Sequence, residues 1–439
     1  MKSDRRPAVA IVGGGASGTI LAVQLARRGI TSALIDGSGR IGKGVAYSTM
    51  EPAHLLNVRA EGMSALAGQS GHFAEAFEAE GGDRRGFAQR RFFGQYLGRL
   101  LGEAEASGGV ATVEATAVGA ARSAEGWRVD FDDGSSLEAD ALVLATGNQE
   151  PDILRAFADA GDRFIRNPWG DVARTAVADL AQSGEAALIV GTGLTMVDLV
   201  LSLDAAGYAG RVVALSRRGL IPRTHADFEP APVSLEDVPQ GDPRTLTRWL
   251  RKRAASVGWR AAIDSLRPHS HALWQSMDVP RQRRFLRHGR PWWDVHRHRI
   301  APEVGGTVAR MVADGRLEIV AGRIEAAANH ANGIEVTYRR RGAARAQSET
   351  FAYAFNCTGP LHSMTHTRDP LLRSLLDAGV VRPDRLGIGL EIDGTCRAGE
   401  HLWAMGPLTK GRYWEIIAVP DIREQAAEVA ADIERELGQ

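Results

Sequence analysis

Residues 8–18, AVAIVGGGASG, run from an apolar stretch straight into three consecutive glycines. TILAVQLARRG then repeats apolar residues at helical spacing as far as Gly29, and TSALIDG forms a second apolar run that ends at Asp36. The order is strand, G-x-G-x-x-G, helix, strand, acid. Few short patterns restrict a fold so strongly, because each glycine answers a separate steric demand. Gly13 allows the tight turn, Gly15 lets the backbone approach a pyrophosphate, and Gly18 lets helix and strand pack closely. The first turn of the helix offers unpaired N–H groups and a partial positive charge to phosphates. Asp36 stands where a ribose hydroxyl would donate to it. In this strand–helix–strand setting the motif predicts a dinucleotide-binding unit.

The pattern recurs at residues 185–207, EAALIVGTGLTMVDLVLSLDAAG. Gly191 and Gly193 hold the first two glycine positions, Leu194 and Thr195 open the helix, and Met196 takes the third glycine's place. Asp198 on this helix reads as a buried polar residue or a loop anchor. The following strand, RVVALSRRG, ends in Ser216, Arg217 and Arg218 instead of an acid. A carboxylate here would suit the free ribose of NAD, whereas arginines accommodate the 2′-phosphate of NADP. Guanidinium forks bind phosphate through paired hydrogen bonds, and a serine hydroxyl can add another. The two strand ends therefore assign FAD to the first unit and NADPH to the second.

The rest of the chain fits around these units. Glycine is in excess, 50 of 439 residues, as a protein with many turns and close backbone approaches requires. Residues 40–105 read as a largely helical insertion in which RRFFGQYLGRLL has the spacing of a core helix. Strands alternate over 110–147 and return to an ATG turn. Residues 241–300 hold fourteen Lys/Arg against four Asp/Glu, and five of the nine tryptophans. This segment reads as helices with tryptophan anchors, as a substrate or partner surface, or as a lining of the cleft between the two cofactors. The i, i+2 pair His296–His298 in RPWWDVHRHRIAPE resembles a metal pair only superficially: Asp294 shares a strand face with both only if that segment is extended, no Cys or further His is close in sequence, and no metal site is expected. Strands over 316–322 and 333–341 precede TFAYAFNCTGP, whose strand-to-glycine turn repeats the ATG pattern. A strand LWAMG, a loop and a long terminal helix finish the chain.

Charge is balanced, with 53 Lys+Arg and 53 Asp+Glu, so no global field draws the protein to nucleic acid or an anionic membrane. The two cysteines, Cys357 and Cys396, form no CxxC pair, which excludes the usual dithiol relay and a cysteine-rich zinc site. No apolar run reaches the length that spans a bilayer. A cytoplasmic protein without membrane or nucleic-acid partners is expected; its oligomeric state is left open.

The stretches VAIVGGGASG, ALIDG, GKGVAYS, HLLNV, ATGN, IVGTGLTMVD, LSRRG, NCTGP and GPLTKG…WEIIAVPDIREQA together resemble the FAD/NAD(P)-binding flavoproteins related to class B flavin-dependent monooxygenases. That group includes N-hydroxylating, Baeyer–Villiger and dimethylaniline-type enzymes. The resemblance implies an α/β fold with two Rossmann-like domains in a glutathione-reductase-like arrangement, the NADPH domain inserted in the FAD domain, with helical insertions. It divides the chain into a first FAD part at 1–165, an NAD(P)H part at 166–350 with a helical insertion at 220–300, and a second FAD part at 351–439. It implies FAD contacts at Gly13, Gly15, Ser17, Gly18, Asp36, Gly44, Tyr47, Asn57, Thr146, Gly147, Gly406 and Pro407. NADPH falls to Gly191, Gly193, Leu194, Thr195, Ser216, Arg217 and Arg218. The Baeyer–Villiger fingerprint F-x-G-x-x-x-H-x-x-x-W is missing; its nearest echo runs from Phe164 to Trp169 without a histidine.

The expected activity is an NADPH-dependent monooxygenase in which O₂ and reduced flavin form a C4a-(hydro)peroxide that oxygenates a small nucleophilic nitrogen or sulfur substrate. The cofactor carries such chemistry while the protein orients and excludes water. Asn57 is the candidate catalytic side chain, placed to hydrogen-bond the adduct or its substrate. Two alternatives stand beside this reading: an NAD(P)H:acceptor flavin oxidoreductase without oxygen insertion, and a flavin-binding regulatory or scaffold protein using the basic tryptophan-rich segment as a partner surface.

Overall fold

Short strands that are apolar on both faces can be covered only by helices on either side of a parallel sheet. VAIV, SALI, ALVL and ALIV are all of this kind, and every residue in them is buried. A computed structural model describes residues 6–361 and 363–438. Within them the chain forms an α/β fold with two mainly parallel sheets and a separate three-stranded meander.

The first sheet runs in the order Arg397–Gly399, Leu402–Ala404, Ala141–Leu144, Val9–Val12, Ser32–Ile35, Val110–Val113. Val9 pairs with Ser32 on one side and with Ala141 on the other. The second runs Gln347–Phe351, Gly333–Arg340, Leu317–His330, Val212–Ser216, Ala187–Val190, Tyr353–Asn356, Phe164–Ile165. Ala187 is flanked in the same way, by Val212 and by Tyr353. In each sheet the glycine-loop strand thus lies between the next strand in its own unit and a distant strand that ends in a Thr-Gly turn. The strands Phe164–Ile165 and Tyr353–Asn356, next to the divisions expected at 165/166 and 350/351, pair with each other in the second sheet, so that sheet extends beyond 166–350 at both ends.

Helix Ala16–Ala26, helix Arg90–Ala106 and the terminal helix Val419–Leu437 bury Ile20, Leu97 and Val429 in one core on the first sheet. The 90–101 segment is the core helix its spacing predicts, with Phe93, Tyr96, Leu97, Leu100 and Leu101 buried. The meander Ala117–Ser123, Gly126–Phe131, Ser136–Ala139 covers the opposite face through Trp127 and Val129. Among the described residues no helix is long and apolar enough to cross a membrane.

Asp198 is a buried anchor. Its carboxylate is 5% exposed and accepts from Arg90 Nη2 at 2.9 Å, which ties the second unit's helix Leu194–Ala205 to the 40–105 insertion. Burial raises its pKa, opposed by Arg90 and His54. Arg90→Met strands this carboxylate and is expected to cost about 3–5 kcal/mol in urea unfolding. Adding Asp198→Asn should recover most of that loss.

The basic segment folds as short helices with defined starts. Asp242 accepts from the N–H groups of Arg244 and Thr245 ahead of helix Pro243–Val257, and Asp278 accepts from Arg281 N–H ahead of helix Val279–Arg284. Carboxylates satisfy the free N–H groups of a first turn, and proline fits there because its missing N–H would have been unpaired. Residues Arg290–Arg297 are helical, not extended. Asp294 and His298 consequently share one face, with Oδ1 and Nδ1 4.0 Å apart, while His296 turns away to Trp292 and Trp259.

Candidate dinucleotide sites and the cleft between them

The first glycine loop is held by contacts that admit no side chain at Gly13 and Gly18. Gly13 has φ +114°, and a Cβ there would collide with the Ala145 carbonyl oxygen. A Cβ on Gly18 would collide with the Gly13 carbonyl. Gly44, at φ +59°, abuts the loop so closely that its Cβ would come within 2.9 Å of Gly15 Cα. Asp36 accepts from the Gly14 N–H at 2.8 Å and the Ser38 N–H at 2.7 Å. It therefore shapes the loop in addition to any ribose contact.

Two distant segments reach this loop. Gly406, at φ +63°, lies where a Cβ would sit 2.6 Å from Ser17 Oγ, and its N–H donates to Gln425 Oε1 at 2.7 Å. Pro407 follows it in the turn Gly406–Thr409. Thr146 and Gly147 leave strand Ala141–Leu144 beside Gly13, and the buried Thr146 hydroxyl has no hydrogen-bond partner among the described residues. An unmet hydroxyl beside a loop that is open at Gly15, where a Cβ would meet only Gly44 Cα at 3.7 Å, fits a bound pyrophosphate-containing cofactor. Tyr47 packs edge-on against Phe93 at 4.6 Å, and burial pushes its hydroxyl up to about 12. Asn57 is held by its backbone, whose carbonyl accepts from His225 Nε2 at 3.1 Å. The structure thus gathers the glycines, Ser17, Asp36, Thr146 and Gly406, while Tyr47 serves the core and Asn57 has no side-chain tie to the group.

The second loop repeats the first. Gly191 has φ +116°, and its Cβ would collide with the Cys357 carbonyl, as Gly13 does with Ala145. Gly193 precedes helix Leu194–Ala205 and is open, for a Cβ there meets nothing within 4 Å. Met196 fills the third glycine's place and is fully buried. Ser216 is committed to the turn: its Oγ lies 2.8 Å from Thr192 Oγ1 and accepts from the Gly219 N–H at 3.0 Å. Arg217 is exposed, and Arg218 donates to the Arg287 carbonyl at 3.3 Å.

A cleft of about 1030 Å³ joins the two units. Gly191–Thr195, Arg217 and Arg218 line one end; Asn148, Lys410 and Trp414 line the other. Lys410 Nζ donates to Asn148 Oδ1 at 2.9 Å. Burial, reinforced by Arg290, lowers the ammonium to about 8. Glu415 lies on the same wall and is 4% exposed. Burial pushes its carboxyl up, but His298, Arg297 at 3.2 Å and the Trp293 N–H at 2.8 Å prevail and hold it at about 2. Asp294 is pushed up by its burial. Sequence reasoning missed Asn148, Lys410 and Glu415, and weighed Asp294 only as a companion of the two histidines on an extended segment. The i, i+4 spacing of Asp294 and His298 was the available signal, and it needed the segment to be read as helix.

The Lys410 shift has a definite sign. Its folded pKa lies below the usual 10.5, so between about pH 8 and 10.5 the unfolded chain binds more protons and stability rises with pH. Lys410→Met should be more stable than the parent at pH 7 and show a shallower rise between pH 8 and 10 in urea unfolding. A parallel rise in both proteins would refute the assignment.

Residues 10–149 match a family model described as FAD-NAD(P)-binding. Uncharacterized proteins of Mycobacterium tuberculosis and Mycobacterium bovis are 30% identical over 132 residues, 28% of this chain. The chain spans about a quarter of the length of these curated relatives, 25%. Among solved structures, L-lysine 6-monooxygenase from Pseudomonas syringae matches with TM-score 0.69 and 17% identity over 98% of this chain and 100% of that one. Ornithine N-hydroxylase from Kutzneria sp. 744 matches with TM-score 0.67 and 17% identity over 99% and 100%. Bacillithiol disulfide reductase from Bacillus cereus matches with TM-score 0.59 and 15% identity over 98% and 99%. Such likeness is one of fold, and it extends over almost the whole chain. Residues 10–149 are thus similar to FAD-NAD(P)-binding proteins, and the chain as a whole has the fold of these solved structures, with the glycine-loop strand arrangement present twice.

Proposed function

We propose that the protein is an FAD-containing, NADPH-dependent monooxygenase acting on a small nucleophilic nitrogen or sulfur substrate. The observation that carries this reading is the single cleft running from Arg217 and Arg218 to Asn148 and Lys410. A dinucleotide anchored at the second glycine loop has a continuous path toward the first unit. In this reading Arg217 and Arg218 hold the 2′-phosphate, and the N–H groups opening helix Leu194–Ala205 hold the pyrophosphate. Gly13, Gly15, Gly44 and Thr146 hold the FAD, which when bound supplies the redox and oxygen-transfer chemistry. Asn148 and Lys410 orient the nicotinamide end, and Trp414 helps to exclude water there. Asn57 enters this reading only as a candidate neighbour of the substrate.

The thiols argue against the disulfide-reductase version of the rival oxidoreductase. Cys357 and Cys396 are both buried and free. Burial pushes both thiols up, Cys396 to about 12, so neither offers the exposed thiolate that exchange requires. The test is rapid mixing. Reduced by NADPH without oxygen and then exposed to O₂, the protein should reoxidise in two resolved phases, with the second releasing hydrogen peroxide when no substrate is present. A single immediate phase would indicate a reductase, and failure of NADPH to reduce the flavin would indicate a binding protein.

A further inference from the structure

The basic tryptophan-rich helices enclose a second cavity, of about 990 Å³, separate from the nucleotide cleft. This volume is at the upper end of the roughly 300–1,000 Å³ usual for small-molecule pockets. Its apolar wall includes Leu250, Ile263, Leu273 and Trp274. On helix Pro243–Val257, Arg244, Arg248 and Arg251 follow one another at i, i+4 and i+7, a spacing that sets them along one face, and all three line the cavity beside Leu250. Arg284 joins them from helix Val279–Arg284. Among the described residues no Asp or Glu lines this space, and none of the four guanidinium groups has an ion-pair partner. Trp292, also in the lining, is 51% exposed.

Four guanidinium groups without carboxylate partners, exposed at the edge of an apolar hollow, make a positive field there that favours an anion. Several polar groups of the wall are already bonded within the protein, Thr247 to the Pro243 carbonyl, Ser270 to the Arg267 carbonyl, Trp274 to the Gly411 carbonyl and Trp293 to Glu415, so the surface met by the anion's body is mainly leucine, isoleucine and tryptophan rings. We propose that this cavity binds a small molecule with an apolar chain or ring ended by a carboxylate.

Trp414 makes this more than a remote site. It lines both the cavity and the nucleotide cleft. Its ring stacks on Trp274 at 5.0 Å, and Arg290, which lines the cleft, lies 5.8 Å from its centroid. The partition continues through the π-helical turn Phe285–Gly289, with Leu286 on the cleft side and Phe285 and His288 on the cavity side. Turns of that type are wide, costly and concentrated at functional sites. A ligand seated in the cavity therefore ends against the wall of the cleft, and its binding does not depend on the oxygenase reading above.

The test uses the full flavin-loaded chain and calorimetry with dodecanoate, dodecyltrimethylammonium and acetate, all below micelle-forming concentrations. Dodecanoate should bind one to one, and both the cationic analogue and acetate at least ten-fold more weakly. Arg248→Glu with Arg251→Glu, both exposed positions, should weaken dodecanoate at least ten-fold and leave the rate of flavin reduction by NADPH unchanged. Leu250→Trp, which fills the hollow, should weaken it similarly. Equal affinity for the two head groups, or uptake by phosphatidylglycerol vesicles without binding of free dodecanoate, would overturn the site. Dodecanoate binding as described in a protein whose flavin NADPH cannot reduce would overturn the oxygenase reading and leave the site standing.

Discussion

Gly13→Ala is expected to yield protein without flavin, and Gly191→Ala to yield flavin-loaded protein that NADPH no longer reduces. The two replacements are sterically the same. Each glycine sits at positive φ, +114° and +116°, and each would drive a Cβ into a carbonyl oxygen of the neighbouring Thr-Gly turn, Ala145 in one unit and Cys357 in the other. Backbone cannot yield to a methyl group as a flexible side chain can, so the loop itself must move. Loss of fold would produce similar numbers, and Gly193→Ala separates the two causes. A Cβ at Gly193 meets nothing within 4 Å of the protein. That variant should melt like the parent, yet the methyl group stands where a pyrophosphate would approach. Losing two hydrogen bonds of about 1 kcal/mol each corresponds to roughly thirty-fold weaker NADPH binding. Unchanged reduction kinetics in Gly193→Ala would remove the second unit from nucleotide binding.

Replacing both Arg217 and Arg218 with alanine is expected to raise the KM for NADPH far more than that for NADH. Hydrogen bonds to charged groups contribute about 1.5–3 kcal/mol each, so losing one from each arginine corresponds to at least roughly a hundred-fold. The structure refines which residue carries more. Arg217 is exposed and lines the cleft, whereas Arg218 is tied to the Arg287 carbonyl of the insertion. Arg217→Ala alone should therefore produce most of the change. Ser216, bound to Thr192 and Gly219, should affect both nucleotides alike through the shape of the turn. Equal effects of the double replacement on NADPH and NADH would defeat the assignment of the 2′-phosphate to this strand end.

The residues that sequence reasoning located are those whose jobs are local. A turn at positive φ, a helix start and a buried four-residue strand each depend on a few neighbours, and G-x-G-x-x-G states them within a dozen residues. Lys410 and Asn148 are 262 positions apart and meet at 2.9 Å; no local pattern encodes such a pair. Arg90 and Asp198 are 108 apart, and their pairing became visible only when the 90–106 helix packed against the second unit. The histidine segment misled for the opposite reason. Its i, i+2 spacing was read on an extended chain, and the helix Arg290–Arg297 exchanged that geometry for an i, i+4 pair of Asp294 with His298.

By itself, the sequence determined that there are two nucleotide-type units, that one strand ends in an acid and the other in two arginines, and that ATG and NCTGP are the same turn used twice. These follow from covalent geometry and from the period of apolar residues, which act within one element. Only the tertiary structure decided that each Thr-Gly turn closes over the first glycine of its partner loop, that one cleft connects the units, and that Trp414 divides this cleft from a basic, apolar cavity. Those are long-range contacts, set by how buried faces stack after the elements have formed.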